Sequence, residues 1–137
     1  MKAVARRRDG YAHDVEIEGG HAIVIDEPRS AGGNDEGPSP TRTVAAALAA
    51  CTAITCEMYA ARKGWELGNV EAEVDAQFGD NGTIVKCTVT LCVPEPLDPE
   101  QQRRLLVIAG KCPVHRALAG TTPIEISDRI ECPTPEG

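Results

Sequence analysis

Six cysteines and one histidine near the last of the ordered-looking thiols carry most of the chemical potential of this 137-residue chain. The cysteines are Cys51, Cys56, Cys87, Cys92, Cys112 and Cys132. Cys51 and Cys56 fall in VAAALAACTAITCEMYAA, a stretch with almost no charge. Apolar surroundings raise the pKa of a thiol, and the thiolate is the nucleophilic form. Cys51 is therefore either inert packing or a sulfur shielded from water and activated by a nearby cation. Cys112 stands immediately before Pro113. Proline suits the first position of a helix, which makes Cys112 the N-cap, and a thiol at a helix N-terminus is shifted toward its thiolate.

The other thiols read differently. Two helical residues five apart lie about 140° around the axis from each other, so a Cys51–Cys56 disulfide has poor geometry. Cys87 and Cys92 are an odd number of residues apart in a strand-like run and face opposite sides. Cys56, Cys87 and Cys92 are read as packing residues, and Cys132 as incidental. Cys112-x-x-His115, with Cys51 and Cys56 added, makes a weak zinc pattern, because zinc sites usually present two tight ligand pairs. His115 reads as a helix-surface histidine. A cation for Cys51 has to come from elsewhere in the chain. Arg42 is nine residues earlier on the same helix, about half a turn out of phase and two and a half turns away. Arg29, in a Gly-rich loop, can fold back and is the expected activator.

These residues need elements to hold them. Residues 2–8 and 11–18 read as strands joined by Asp9–Gly10, a hairpin signal, and HAIVIDE (21–27) continues the meander. PRSAGGNDEGPSP (28–40) is a loop by composition. Ser39 caps a helix that Pro40 opens and Gly64 ends. VEAEVDAQF (70–78) alternates apolar and polar residues, Asn81–Gly82 turns the chain, and IVKCTVTLCV (84–93) returns. A helix over roughly 98–110 opens with Asp98 as cap. A short helix follows over 112–120, then a strand over 122–130 and a tail, CPTPEG, expected to fray. The order βββ–α–ββ–α–α–β belongs to an α+β fold with antiparallel sheets, here taken as a single domain over 1–137. The helix 40–63 is apolar all round, and such a helix must be covered all round. One small sheet covers one side. A homodimer with two copies of this helix packed together is the expected solution.

Composition narrows the partners. The formal charge is −7 and the acids are spread along the chain, so no basic face for nucleic acid is expected. Arg6–Arg7–Arg8 reads as an exposed strand face. No segment reads as a membrane span, and no apolar leader follows MKAVARRRDG. A cytoplasmic chain with reduced thiols, some of them redox-active, is expected.

The loop GGNDEGPSP, the Ala-rich helix AAALAACTAIT around Cys51, and LDPEQQRRLLVIAGKCPVHRAL some sixty residues later together resemble the OsmC/Ohr family of thiol-dependent peroxidases. The likeness runs over nearly the whole chain and is greatest to the OsmC-like branch, which shares the GGxDxGPSP loop. The resemblance implies an intertwined homodimer with antiparallel sheets around long central helices. It places the peroxidatic cysteine at Cys51 and the resolving cysteine at Cys112. It implies an organic hydroperoxide as substrate, a Cys51 sulfenic acid, a Cys51–Cys112 disulfide and a dithiol reductant, with no cofactor and no metal. The peroxidases of the family carry a glutamate just after the proline that opens the central helix. Here that stretch is Pro40–Thr41–Arg42–Thr43. The departure keeps a second reading open: a non-catalytic protein of the same fold that binds a small hydrophobic ligand or senses redox state.

Overall fold

The computed structural model describes residues 1–133. At the N-terminus β1 (Ala3–Asp9), β2 (Ala12–Ile17) and β3 (His21–Ile25) form an antiparallel meander in that order. The first turn falls on Gly10–Tyr11, one residue later than Asp9–Gly10, because the pairing register shifts between Arg7 and Asp9. Gly10 takes a φ of +53°, which glycine adopts without strain. The Arg run is exposed, as expected, but it does not share one face: Arg6 and Arg8 pair with Glu16 at 2.8 Å and Asp14 at 2.6 Å on one side, while Arg7 falls on the other and donates to the Gly10 carbonyl oxygen at 2.8 Å. The face of Arg7 also brings Ala5, Val15 and Ile23 into cross-strand register, with Ile17 and Ile25 beside them. Among the described residues, no helix packs extensively across that apolar face.

The loop after β3 is built around one carboxylate. Asp26 is 1% exposed and accepts the backbone N–H groups of Glu27 (2.7 Å), Asn34 (3.2 Å) and Glu36 (3.1 Å). The loop closes tightly: a Cβ on Gly33 would lie 2.0 Å from the Glu27 carbonyl oxygen, and one on Gly37 2.2 Å from that of Val24. A single turn of 3-10 helix, Arg29–Ala31, sits inside it where composition suggested only loop.

Helix α1 (Pro40–Lys63) begins and ends where its caps predict. Ser39 Oγ accepts from Arg42 N at 3.3 Å, and Gly64 leaves the helix in the left-handed region. Leu48, Thr52, Cys56 and Ala60, four residues apart in turn, form its buried stripe. The stripe lies on a two-stranded sheet of β4 (Glu71–Phe78) and β5 (Ile84–Cys92), with α2 (Pro99–Ala109) and α3 (Pro113–Ala119) packed on the same helix. Ala72, Val74 and Ala76 of β4 are half-buried while Glu71, Glu73 and Asp75 are exposed, matching the alternation in the sequence. Asp98 caps α2 in a reciprocal box with Gln101. Cys56, Ala60, Leu67, Leu105 and Ile108 make the core, with Tyr59 and Trp65 edge to face beside it.

The other side of α1 is uncovered. Ala47, Ala50, Ile54, Met58 and Ala61 recur at three- and four-residue spacing and are all exposed, Ile54 by 52% and Met58 by 57%. Pro40–Lys63 also has the length and apolarity to cross a membrane, yet its buried stripe faces protein. The expected strand over 122–130 does not form. The segment pairs with nothing among the described residues, and Ile124, Ile126 and Ile130 are 62%, 80% and 87% exposed. Alternation marks a segment able to join a sheet, but a strand exists only when a neighbouring edge accepts its hydrogen bonds. Residues 134–137, most of the tail expected to fray, lie outside the described residues.

Candidate functional site

Cys51 sits in the middle of α1 and Cys112 caps α3. Sixty-one residues separate them in sequence. Packing of α3 against α1 brings their Cα atoms to 6.0 Å, and a disulfide bond joins them. That Cα spacing is ordinary for a disulfide, so the fold holds the two thiols at bonding reach. The local reason lies in the sequence around Cys112: Pro113 starts α3 and leaves the thiol at the cap, where its Sγ accepts the backbone N–H of His115 at 3.5 Å. Cys112 is completely buried. Cys51 is half-buried, with Thr55 Oγ1 3.9 Å from its sulfur one turn further along α1.

A cleft of about 290 Å³ between α1, β5 and α3 is walled by Leu48, Cys87, Val89, His115 and Leu118 among others, and neither Cys51 nor Cys112 lines it. His115 thus faces a partly enclosed cleft, where the sequence suggested plain helix surface. Of the remaining thiols, Cys56 and Cys87 pack as expected and Cys132 lies at the surface, whereas Cys92, expected to pack, is exposed because the strand phase turns it outward at the end of β5. Cys56 has no exposed surface, and its thiol donates to the Leu105 carbonyl oxygen at 3.7 Å. Burial, with the nearby Glu57 charge adding to it, pushes the Cys56 pKa up. Cys87 is half-buried opposite Ala76, while Cys92 is exposed opposite Glu71. Cys132 is exposed. The zinc pattern does not assemble: Cys51 and Cys112 bond to each other, and no group of three or more potential ligands comes together among the described residues.

Arg29 is not brought to the thiols within this chain. It lies exposed in the 3-10 turn, and no hydrogen bond or ion pair links its side chain to either sulfur. Arg42 is exposed as well. What sequence reasoning missed is the anchor of the arginine's loop. For Asp26, burial acts to raise the carboxyl pKa, but the three backbone donors, helped by the charge of His13, hold it below its ordinary value. The one signal for it was an acid placed directly after the apolar run of β3, where a strand hands over to a loop.

With this geometry, the comparisons with known proteins are informative. The profile of the OsmC-like protein family matches residues 32–127, which take in both cysteine blocks, and the chain belongs to that family. Among solved structures, it resembles an osmotic stress induced and detoxification response protein from Psychrobacter arcticus, with a TM-score of 0.77 and 20% identity over 85% of this chain and 86% of that one. An OsmC-like protein from Mycoplasma pneumoniae gives 0.74 and 17% over 87% and 86%. These two likenesses speak to the fold. The organic hydroperoxide resistance protein OhrB of Bacillus subtilis is 28% identical over 88% of this chain and 92% of that one, with a TM-score of 0.56. No curated protein matches the chain.

Proposed function

We propose that the chain is a thiol-dependent peroxidase that reduces organic hydroperoxides. The observation that carries this reading is the meeting of Cys51 and Cys112 across 61 residues of sequence at a Cα distance of 6.0 Å. Cys51 as thiolate attacks one peroxide oxygen. The O–O bond breaks, the alkoxide leaves as an alcohol on gaining a proton, and Cys51 becomes a sulfenic acid. Cys112 then attacks that sulfur, water leaves, and the disulfide closes. A dithiol reductant restores both thiols. The half-buried position of Cys51 in an apolar helix suits a hydrophobic peroxide and shields the sulfenic acid from further oxidation. The similarity to hydroperoxide resistance proteins supports the substrate class.

The working unit in this reading is a homodimer. The exposed stripe of α1 and the open apolar face of β1–β3 are two surfaces that water disfavours, and a second copy covers both. Assembly delivers Arg29 to a Cys51 thiolate, lowering a pKa that the apolar helix would otherwise raise. A reducing, cytoplasmic setting keeps Cys56, Cys87, Cys92 and Cys132 as thiols. The test is turnover of cumene hydroperoxide with dithiothreitol as reductant. Wild type consumes peroxide continuously, and Cys51→Ser falls to the background rate. If Cys51→Ser retains wild-type turnover, the peroxidase reading is wrong.

The second reading, a non-catalytic protein that binds a small hydrophobic ligand or senses redox state, draws on one observation. Thr41, Arg42 and Thr43 follow Pro40, so the start of α1 offers no carboxylate to orient an arginine. A wild-type protein that forms the disulfide with oxidants yet turns over no hydroperoxide favours it.

A further inference from the structure

Helix α1 carries four threonines, and the hydroxyl of one is placed differently from the rest. Thr43 Oγ1 donates to the Ser39 carbonyl oxygen at 2.8 Å and Thr52 Oγ1 to that of Leu48 at 2.9 Å, the usual back-bond of a helical threonine to the residue four before it. Thr41 Oγ1 lies 3.4 Å from Ser39 Oγ at the cap. Thr55 makes no back-bond. Its Oγ1 has one partner among the described residues, Cys51 Sγ at 3.9 Å. Residues four apart share a helix face, and the Cα–Cβ bond of the later one tilts back toward the helix N-terminus. Thr55 therefore overhangs Cys51. With Cys51 in the disulfide its sulfur carries no proton, so the hydroxyl is the donor.

We propose that Thr55 is a catalytic residue whose hydroxyl donates to the Cys51 thiolate and holds it in the charged form. A hydrogen bond to the charged form of a group favours that form. The thiolate is a stronger acceptor than a disulfide sulfur, and a bond to an ionised partner is shorter and stronger than a neutral one. When Cys51 ionises, its proton goes to water, while Thr55 keeps its own proton and points it at the sulfur. The charged side chains nearest Cys51 along α1 are Arg42 and Glu57, β5 carries Lys86, and α3 and the turn before it carry Lys111, His115 and Arg116. Among the described residues none of these side chains bonds to Cys51 Sγ. Thr55 stands on the same helix as the thiol, so its contact is present in the single chain and does not wait for a second copy. Its directed hydrogen bond is independent of the charge that Arg29 is proposed to bring. The part this thiolate plays in turnover rests on the peroxidase reading.

The test reads the ionisation of Cys51 in the reduced full-length chain. Iodoacetamide alkylation is followed against pH by peptide mass at Cys51 alone, in wild type, Thr55→Val and Thr55→Ser, with far-ultraviolet circular dichroism matched between the three. Valine keeps the shape of threonine and removes the hydroxyl, and serine keeps the hydroxyl. Thr55→Val should raise the apparent pKa of Cys51 by about one unit and slow its alkylation at neutral pH about tenfold, while Thr55→Ser stays close to wild type. The ultraviolet absorbance of the thiolate, taken as the difference from the matching Cys51→Ser protein, reads the same midpoint without any reagent. A Thr55→Val profile that superimposes on wild type overturns the proposal. So does an equal shift in Thr55→Ser, because the lost methyl group and not the hydroxyl would then be the cause. Neither measurement contains peroxide. Failure of the peroxidase reading shows separately, as a wild type that turns over no cumene hydroperoxide while Thr55→Val still moves the Cys51 midpoint.

Discussion

Cys51 and Cys56 share a helix and differ in every property that matters to a thiol. Cys56 belongs to the buried stripe, bonds to the Leu105 carbonyl and has its pKa pushed up by burial and by Glu57. A thiol whose folded pKa is raised adds stability that is fully present below its ordinary value of 9.0 and is lost as pH climbs toward the folded value. The thermal midpoint of wild type should therefore fall more steeply above about pH 9 than that of Cys56→Ala, and parallel curves in a melting series would count against this. In the proposed peroxidase, Cys51 has the opposite requirement and needs a cation. Arg29→Ala should raise the apparent pKa of Cys51 by about one unit in an iodoacetamide rate–pH profile, cutting its alkylation at neutral pH roughly tenfold. An unchanged profile removes Arg29 from the site. At this scale the sequence was informative about thiols whose helical or strand phase decides their side, such as Cys56, Cys87 and Cys92. It was uninformative about Asp26, because that carboxylate acts through backbone donors eight and ten residues away.

Elements with local start and stop signals appeared where expected. α1 has Ser39, Pro40 and Gly64, and α2 has Asp98 and Pro99, so their boundaries follow from neighbouring residues alone. The segment 122–130 has an equally clear pattern and no ladder, because a strand depends on a partner edge that its own residues cannot supply. The 3-10 turn at Arg29–Ala31 was hidden for a similar reason: Asp26 and the close approach at Gly33 shape it. The exposed stripe of α1 also belongs to this scale. Ile54→Asp places a charge in its middle. It should weaken self-association at least tenfold, about 1.4 kcal/mol, by sedimentation across a dilution series, while far-ultraviolet circular dichroism stays that of wild type. Unchanged association would mean that the stripe is not the contact.

The whole molecule is two apolar surfaces and one disulfide in search of a common explanation. The sheet β1–β3 offers one surface, α1 the other, and the loop anchored by Asp26 connects them and carries Arg29. A dimer of an OsmC-family fold with a two-cysteine site accounts for all three features at once. Its central claim is the division of labour between Cys51 and Cys112. The most direct measurement is intact mass after one equivalent of cumene hydroperoxide, on wild type, Cys51→Ser and Cys112→Ser. The account predicts loss of two hydrogens in wild type, one added oxygen in Cys112→Ser and no change in Cys51→Ser. A wild-type protein that stays fully reduced, or an oxygen added to Cys51→Ser at the wild-type rate, would contradict it.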